Sequence, residues 1–532
     1  MRTHQRLINI IRAVQPSRFA STFTGRARRP SSAPWISAAA TVAVCGASLL
    51  YWSNTIQTEK SQISRYGGPN ELRQAIGRFR DILNTEDISL DADELYAHGF
   101  SELSHHQAGS PQVIVYPRNT DQVSQILKIA NELRLPVIPY SGATSVEGHY
   151  SAPKGGICVD MQHFDKIISI NQHDLDCEVE PGVPWEDLNR TLESHGVFCP
   201  VDPGPGAKIG GMVGTGCSGT NAVRYGTMRD WVLSLEVVLP DGRIVKTRSR
   251  VRKSSAGYNL TQLFIGSEGT LGIVTNITLK LAVIPKETSV AVCDFESIRD
   301  CGEVVQEVMS SGIQIGAMEI LDEVMMKAVN LNSTEFKLPE KPTLYFKFSG
   351  MNKEAVQADI KKVGEIAKAH HGGSFIFAKT IDEQDEIWQG RKIAVWSSRL
   401  LKPDSSFWIT DVCVPLSKLA HLIEETKKDV TASFLPGPIL AHAGDGNIHV
   451  LILFHKDKPN EVVEAQRLND QLIKKALALG GSCTGEHGIG WTKRKWLEPE
   501  LGKNSVDLMF DIKKAMDPNG IMNPQKVLPD RD

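Results

Sequence analysis

The sequence lacks the cysteine pattern of a disulfide scaffold or of a structural zinc site. Its nine cysteines are scattered over 532 residues without a C-x-x-C pair, and their number is odd. Disulfide-stabilised domains and zinc modules instead place cysteines at short, repeated spacings. We therefore expect buried or free thiols and a fold held together by apolar packing.

The sequence also lacks a strong excess of charge of either sign. Its 59 basic and 62 acidic side chains leave a formal net charge of −3, so no overall electric field would recruit nucleic acid. A chain of 532 residues is longer than a typical single domain. We therefore expect a globular protein of more than one domain that does not bind nucleic acid.

Acidic side chains are absent from residues 1–58, whereas seven arginines occur there. An arginine- and serine-rich start without acids is typical of a mitochondrial targeting segment. A secretory signal would place a short apolar core soon after one or two basic residues, and here the apolar stretch comes later. The sequence therefore predicts a mitochondrial protein.

Residues 35–52 form an uncharged stretch with a tryptophan at each end. Its length is just sufficient for a transmembrane helix, which needs about 17–25 apolar residues, but its many alanines make it only weakly hydrophobic. Two interpretations remain open. The stretch is an inner-membrane anchor that leaves the folded part in the intermembrane space, or it is removed with the targeting segment, and the matrix is the alternative location.

The rest of the chain divides into three regions by its pattern of apolar residues. The first reads as a helical connection, because apolar residues recur there at helical spacing. The second alternates strands with helices, and the third combines longer helices with strands, which indicates a separate domain that begins near Pro285. The expected ranges are 59–106 for the connection, 107–285 for the first folded domain and 286–528 for the second.

No Rossmann-type dinucleotide site is expected, although Gly214 to Gly219 match the pattern G-x-G-x-x-G. That fingerprint requires a strand directly before it and a helix directly after it. Here Pro203, Pro205 and further glycines precede the pattern. The sequence therefore argues against an NAD site.

Two glycine-rich loops have the composition of an anion-binding site instead. The first runs from Pro139 to Gly148 and the second from Pro203 to Gly214. Glycine and hydroxyl residues that follow a strand can present consecutive backbone N–H groups to a phosphate. The alternative, a pair of flexible surface loops, is the less favoured interpretation.

A third motif, from Gly266 to Val274, completes a set of three in order. Together the motifs resemble the FAD-binding domain of the vanillyl-alcohol-oxidase/p-cresol-methylhydroxylase (PCMH) superfamily. The resemblance implies an α+β protein in which a PCMH-type FAD-binding domain precedes an α+β FAD-linked oxidase C-terminal (cap) domain. It also implies an FAD whose pyrophosphate rests on the glycine loops and whose isoalloxazine ring lies between the domains.

The resemblance further implies that FAD is bound noncovalently. Some relatives attach FAD through a histidine in the first loop, at about the place where Ala143 stands here, and Ala143 also replaces a usual glycine of that loop. The residues expected to bind FAD are Pro139, Ser141, Gly142, Ala143, Thr144, Ser145, Gly148, Pro203, Gly206, Gly210, Gly211, Gly214, Gly216, Gly219, Glu268, Gly269, Gly272, Ile273 and Asn523.

Two histidines flank a turn-like sequence between two strand-like segments. With a four-residue turn at Gly444-Asp-Gly-Asn447, His442 and His449 would be direct cross-strand neighbours, with Cβ atoms about 4.5–5.5 Å apart. This geometry suits two ligands of one divalent ion. Two histidines that are hydrogen-bonded across a hairpin remain an equally good interpretation of the pair alone.

The segment Gly485-Glu486-His487-Gly488 could supply a third ligand and a base. Its glycines permit the close approach of a cofactor or substrate. We favour Glu486 as a ligand and His487 as the base. A metalloprotease is the weaker alternative, because the H-E-x-x-H spacing is absent.

These C-terminal segments resemble the C-terminal domain of FAD-linked oxidases. The resemblance implies that His442, His449 and Glu486 bind zinc or manganese and that His487 acts as the base. It places Asn523, in a closing motif where Gln525 replaces the usual glycine, near the flavin. It also suggests that Arg391 contacts the substrate carboxylate, for which a surface salt bridge is the alternative.

Within this family the chain most resembles the members that oxidise D-lactate to pyruvate and pass electrons to cytochrome c. Relatives that act on D-2-hydroxyglutarate have a lysine two residues before an aspartate, and here Ile409 precedes Asp411 in that way. The missing cation disfavours a second substrate carboxylate, because a buried carboxylate without a partner is costly. D-lactate is therefore the expected substrate, and D-2-hydroxyglutarate and glycolate are the alternatives. A non-catalytic flavin-binding protein and a metallohydrolase are rival functions of other classes.

Overall fold

The computed structural model describes residues 65–101, 104–106, 108–332 and 337–531. The predicted targeting segment and the apolar stretch at residues 35–52 lie outside the described residues. Within the described ranges, no helix is both long and apolar enough to cross a membrane. The eight cysteines of the described ranges all carry free thiols, as the lack of C-x-x-C pairs predicts.

The N-terminal region packs on the first folded domain. Its helix Pro69–Phe79 begins with a proline in the first turn and buries Ala75 and Phe79, because apolar residues recur on one face. The region also supplies the strand Ile88–Ser89, which the helical spacing did not indicate, and a second helix, Ala92–Ala97. It is therefore part of a sheet as well as a connection.

The first sheet has four strands, and three of them pair in parallel. Helix Thr120–Glu132, capped by Asn119, connects two of these strands in the way that parallel pairing requires. Since ligands in such sheets bind beyond the carboxyl ends of the strands, the loop after Tyr140 starts at the favoured edge. The strand order is Ile88–Ser89, Val113–Val115, Ile157–Asp160 and Val137–Tyr140.

The second sheet has five antiparallel strands in the order Ile167–Asn171, Asp176–Val179, Ile273–Lys280, Val232–Val238 and Ile244–Lys246. A two-stranded ladder joins Val197–Phe198 to Ala282–Val283. The helices of this part are Trp185–Glu193, Ile209–Thr215, Ala222–Tyr225, Met228–Trp231 and Leu260–Phe264. Helix Ile209–Thr215 begins within the second glycine loop and contains Gly214, so the G-x-G-x-x-G pattern starts inside a helix rather than directly after a strand, and the context of a dinucleotide fingerprint is absent, as predicted.

The third sheet has eight strands and forms the C-terminal part. Its first strand begins at Glu287, directly after the segment with Pro285, where we propose the domain boundary. Seven strands follow the order Gly372–Phe377, Glu287–Phe295, Thr343–Gly350, Ala317–Leu321, Ile439–His442, Asn447–Phe454 and Ser406–Ile409, and the eighth, Val412–Cys413, also pairs with Asn447–Phe454.

Helices cover this sheet, and its hydrophobic core contains buried side chains from both the strands and the helices. The longer helices are Ile298–Ser310, Glu323–Asn332, Lys353–Ala369, Ile381–Lys392, Leu416–Thr431, Pro459–Ala478 and Lys503–Met516. The short ones are Ala394–Ser397 and Leu497–Leu501, with 3₁₀ turns at Ser398–Leu401, Ala443–Asp445 and Arg494–Trp496. A further 3₁₀ turn, Thr85–Asp87, directly precedes the strand Ile88–Ser89 of the first sheet.

The hairpin that carries the two histidines has a different register from the predicted one. His442 pairs with Asn447, and Leu440 pairs with His449, so the prediction that the two histidines are direct partners is wrong. The turn occupies residues 443–446 and ends at Gly446, whose φ of +76° favours glycine. Because residues two apart on a strand share a face, both imidazoles still lie on one face.

His98 ties the short helix Ala92–Ala97 to the first sheet. Its Nε2 atom lies 3.0 Å from Oδ2 of Asp160, and its Nδ1 atom lies 2.9 Å from the carbonyl oxygen of Glu94. Burial by itself lowers the pKa of His98, but the hydrogen bond with Asp160 and the negative charges nearby outweigh burial and raise the pKa above its usual value.

We expect His98→Gln to lower the melting temperature more in mild acid than in mild base. A raised folded-state pKa stabilises the fold fully below the unfolded-state pKa of about 6.5, and this contribution is lost as pH rises through the folded-state pKa. Thermal unfolding at about pH 6 and about pH 9 measures the difference. His173→Gln, at an exposed turn position, is the control, and an equal loss for His98→Gln at both pH values would contradict the assignment.

Candidate active site

A cavity of about 640 Å³ is lined by all three glycine motifs and by the C-terminal part of the chain. Its walls come from the first loop after Tyr140, from the helix that follows the second loop, and from the start of strand Ile273–Lys280. The residues predicted to bind FAD that line it are Pro139, Ser141, Gly142, Ala143, Thr144, Ser145, Pro203, Gly210, Gly211, Gly214, Gly219, Glu268, Gly269, Gly272, Ile273 and Asn523.

Three glycines predicted to bind FAD do not belong to the cavity wall. Gly148, Gly206 and Gly216 have φ angles of +73°, +82° and +67°. Only glycine adopts this left-handed backbone without strain, so these residues shape the loops. That they bind the cofactor directly stays a prediction.

The two positions at which the sequence departs from the usual glycines of its family have left-handed backbones as well. Ala143 has a φ of +50° and Gln525 a φ of +60°. A non-glycine residue at such a φ carries backbone strain. Both loops therefore keep the conformation that glycine would adopt, although neither position is glycine here.

Several cavity residues were not predicted from the sequence. His149 directly follows the first loop, and Ser218 lies within the rejected G-x-G-x-x-G pattern, so both were close to a motif that had been noticed. Trp185 and Trp388 also line the wall, and no local pattern marks either residue. Side chains that reach a cavity from separate elements are not visible in sequence spacing.

One end of the cavity contains His442, His449, Glu486 and His487. The Nε2 atoms of His442 and His449 lie 3.2 and 3.4 Å from Oε1 of Glu486. One ligand atom from each of these three residues lies within 4.8 Å of the others. The structure therefore brings together the three predicted metal ligands and the predicted base.

The other ring nitrogens of the two histidines are occupied by hydrogen bonds. Nδ1 of His442 lies 2.9 Å from the Glu319 carboxylate, and Nδ1 of His449 donates to the carbonyl oxygen of Thr410 at 2.8 Å. Nε2 of His449 is buried and has no hydrogen-bond partner in the part of the chain that the structure describes. In both histidines, Nδ1 is therefore fixed by a residue outside the three predicted ligands, and Nε2 faces Glu486, which is the usual arrangement for metal-binding histidines.

The charges at this end of the cavity favour a cation. Burial by itself lowers the pKa of His442, but Glu319 and Glu486 outweigh it and raise the pKa well above its usual value. Burial by itself raises the pKa of Glu486, but His442 and His449 hold it well below its usual value. The carboxylates therefore stabilise a positive charge between them, which a protonated His442 or a metal ion could supply.

A second group, Asp411, His449 and His487, is also compact enough for a metal ion. However, Oδ2 of Asp411 already accepts hydrogen bonds from several N–H groups, and Nδ1 of His449 is bound to Thr410. Ligand atoms that are already hydrogen-bonded would have to give up those bonds. In the set of His442, His449 and Glu486, the hydrogen bond of Nε2 of His442 is to Glu486 itself, so an ion would replace a contact within the set, and this set is the better candidate.

His487 has the environment of a neutral proton acceptor. Its ring stacks on that of His449 with centroids 5.1 Å apart. Its Nδ1 atom is buried and without a hydrogen-bond partner among the residues the structure covers. Burial lowers the pKa of His487 below its usual value, despite the opposing charge of Asp411, and this favours the unprotonated imidazole.

Arg391 lies in the cavity wall, but it also makes a buried salt bridge. Its Nε and Nη2 atoms lie 2.9 and 2.8 Å from Oε2 of Glu319. Glu319 is the direct cross-strand partner of His442, so a single carboxylate joins the arginine to a candidate ligand. No sequence motif indicated Glu319. The predicted alternative of a surface salt bridge is corrected, because both partners are buried.

Glu268 lines the cavity, yet its carboxylate is hydrogen-bonded to other residues of the protein. Its two oxygens accept the backbone N–H groups of Ile489 and Gly490, each at 2.7 Å. Nε2 of His149 lies 3.0 Å from the same carboxylate, and the Asn523 amide donates to the backbone oxygen of Glu268. Glu268 therefore attaches the segment after His487 to the glycine motifs.

Two family models match the chain. The one described as "FAD binding domain" matches residues 111–248, and the one described as "FAD linked oxidases, C-terminal domain" matches residues 284–527. Mitochondrial D-lactate dehydrogenase (cytochrome) of Arabidopsis thaliana is 48% identical, over 87% of this chain and 80% of that protein. Mitochondrial D-lactate dehydrogenase (cytochrome) 1 of Saccharomyces cerevisiae is 45% identical, over 86% of this chain and 79% of that protein.

A solved structure shows the same fold at low sequence identity. p-Cresol methylhydroxylase is 18% identical and matches with a TM-score of 0.69, over 87% of this chain and 97% of that one. The chain belongs to the FAD-linked oxidase family. The expected fold class, a PCMH-type FAD-binding domain followed by an FAD-linked oxidase C-terminal domain, is confirmed.

We expect Gly214→Val to reduce the FAD content of the purified protein. Gly214 lines the cavity, and a Cβ atom there would meet no described atom within 4 Å, so a larger side chain would occupy ligand space. Gly77→Val is a matched control, because Gly77 is also helical and unobstructed but is exposed, outside the cavity. Visible flavin absorbance per protein measures the outcome, and equal FAD content in both variants would contradict the assignment.

Proposed function

We propose that this chain oxidises D-lactate to pyruvate with FAD as the hydride acceptor and passes the electrons to cytochrome c. The names of its relatives, D-lactate dehydrogenase (cytochrome), support this substrate and acceptor. The observation that carries the proposal is the position of His442, His449, Glu486 and His487 at one end of the cavity that the glycine motifs line.

The cavity fits an FAD that is held without a covalent bond. Its glycines leave room for a ligand, since a Cβ atom at Gly211 or Gly214 would face no described atom closer than 4.0 Å. Ala143 offers no group for attachment. When bound, FAD supplies the ring that accepts a hydride from carbon 2 of the substrate. The glycine loops would hold its phosphates through backbone N–H groups.

The donor set fits a divalent ion, and zinc and manganese are the candidates. We propose that His442, His449 and Glu486 hold it, because one nitrogen or oxygen of each lies within 4.8 Å of those of the other two. Ser218 would orient the glutamate, since its hydroxyl donates to Oε2 of Glu486 at 2.8 Å. The ion would supply Lewis-acid chemistry that lowers the pKa of the substrate hydroxyl.

His487 and Arg391 are the groups that would act on the substrate directly. A neutral His487 imidazole can remove the hydroxyl proton as carbon 2 loses its hydride. Nη1 of Arg391 makes no hydrogen bond to the described part of the protein, so it remains available for the substrate carboxylate. Glu319 would hold the guanidinium in place for that contact.

The wall near the acid–base group favours a small monocarboxylate. Ile409 and Leu440 line this end of the cavity, and neither side chain can pair with a second carboxylate. The methyl group of D-lactate suits such apolar surroundings. This supports D-lactate over D-2-hydroxyglutarate.

A mitochondrial location is part of the proposal. Both relatives named above are described as mitochondrial, and residues 1–58 have the composition of a targeting segment. We also propose attachment to the inner membrane through residues 35–52, which is supported only by the uncharged composition and the length of that stretch.

We expect D-lactate, but not L-lactate, to bleach the flavin of the purified protein under anaerobic conditions. His487→Ala should keep its FAD and bleach roughly 10²–10⁴-fold more slowly, which is the usual contribution of a general base. His421→Ala, at an exposed helix position, is the control and should behave like the wild type. Wild-type bleaching in His487→Ala would remove His487 from its role, and a wild type that D-lactate leaves oxidised would overturn the function.

We expect Ile409→Lys to shift the preference toward D-2-hydroxyglutarate, because a cation at this wall can pair with a second carboxylate. Ile409→Met, of similar length but neutral, is the control. The ratio of kcat/KM for D-2-hydroxyglutarate to that for D-lactate should rise for lysine and stay low for methionine. An unchanged ratio for lysine would show that Ile409 does not select the substrate.

A further inference from the structure

The segment that carries Glu486 and His487 has no regular secondary structure of its own. Residues 484–489 belong to no helix or strand, so backbone hydrogen bonds of a sheet or helix do not hold them. Buried backbone N–H groups nevertheless need partners. The partner of the N–H groups of Gly485, Glu486 and His487 is a single side-chain oxygen, Oδ2 of Asp411.

The contacts of Asp411 converge on this segment. Oδ2 accepts the backbone N–H groups of Gly485, Glu486 and His487 at 2.8, 3.1 and 3.0 Å, and it accepts the hydroxyl of Thr484 at 2.6 Å. The carboxylate is fully buried. Such a charge is tolerated only when many donors compensate it, and the four donors do so.

Asp411 is also connected to the strands that carry the histidines. Its Oδ1 atom accepts the Asn447 amide at 2.7 Å, and Asn447 is the cross-strand partner of His442. The preceding residue, Thr410, accepts the Nδ1–H group of His449 through its carbonyl oxygen. Thr410 therefore binds His449 directly, and Asp411 binds both the cross-strand partner of His442 and the segment with Glu486.

The positive charge of Lys493 lies next to the negative charge of the Asp411 carboxylate. Its Nζ atom donates to the backbone oxygen of Asp411 at 3.0 Å and lies 3.4 Å from Oδ2. It also lies 3.3 Å from Glu147, which belongs to the first glycine loop. The carboxylate therefore sits between the acid–base segment and the loop that would hold FAD.

We propose that Asp411 is the positioning residue of this site. It holds the backbone of the segment so that Glu486 and His487 lie next to His442 and His449. It acts through the backbone of the segment rather than by touching the substrate. This inference rests on the proposed function for its kinetic consequence, but its effect on metal binding does not depend on the identity of the substrate.

Asp411→Asn tests the proposal, because an amide has only one acceptor oxygen. If that oxygen faces the segment, the new NH₂ group faces the NH₂ group of Asn447. In the flipped orientation, the new NH₂ group faces the four donors of the segment instead. Either orientation leaves donors without an acceptor. We expect roughly 10–100-fold losses in Zn²⁺ affinity and in flavin reduction by D-lactate, as for other residues that orient metal ligands. FAD content and KM for D-lactate should change little.

Asp322→Asn is the matched control. Asp322 is also fully buried, accepts a backbone N–H group and pairs with a lysine, Lys427, but these partners, Met325 and Lys427, lie outside the segment with Glu486 and outside the cavity wall. It should lower the melting temperature without weakening Zn²⁺ binding. Thr484→Val removes only one donor to Oδ2, so it keeps the test available if Asp411→Asn does not fold, with smaller losses of the same kind.

The outcomes separate this inference from the proposed function. Weaker Zn²⁺ binding together with slower flavin reduction in Asp411→Asn or Thr484→Val, but not in Asp322→Asn, supports the positioning role. Wild-type Zn²⁺ affinity and reduction rate in the Asp411 and Thr484 variants, or equal losses in Asp322→Asn, would overturn it. If the wild type binds Zn²⁺ but D-lactate does not reduce its flavin, the proposed function fails, and the Zn²⁺ affinities alone decide the role of Asp411.

Discussion

Two buried carboxylates hold the segment with Glu486 and His487 from opposite sides. Asp411, in the C-terminal part, accepts the N–H groups of residues 485–487, and Glu268, in the third glycine motif, accepts those of residues 489 and 490. A segment without helix or strand would otherwise leave these donors unpaired. The backbone around His487, the proposed base, is therefore held both by the C-terminal sheet and by the glycine motifs.

A third buried carboxylate, that of Glu319, contacts two residues of the cavity wall. Glu319 lies opposite His442 on the neighbouring strand and also accepts from Arg391. One side chain thus orients a candidate metal ligand and the candidate carboxylate-binding arginine together. Ser218, from the glycine-rich part, reaches Glu486, so each proposed ligand or substrate contact is supported by a residue from another element.

The sequence predicted the parts of the site that are continuous in the chain. The glycine loops, the two histidines and the segment with Glu486 follow local rules of turn and strand composition. The hairpin register was predicted wrongly, because a turn of 443–446 and one of 444–447 fit the glycines almost equally well. Glu319 carries no local signal, since its contacts depend on strands far apart in sequence. The fold class could be predicted from motif order, whereas strand order within the sheets could not.

The central claim is that a hydride passes from carbon 2 of D-lactate to a flavin in this cavity. Anaerobic rapid mixing of the wild type with D-lactate and with C2-deuterated D-lactate, followed by flavin absorbance, tests it most directly. We expect both compounds to bleach the flavin, with a clearly lower rate for the deuterated compound, because the C2–H bond breaks in that step. A flavin that stays oxidised with D-lactate would contradict hydride transfer from D-lactate to the flavin.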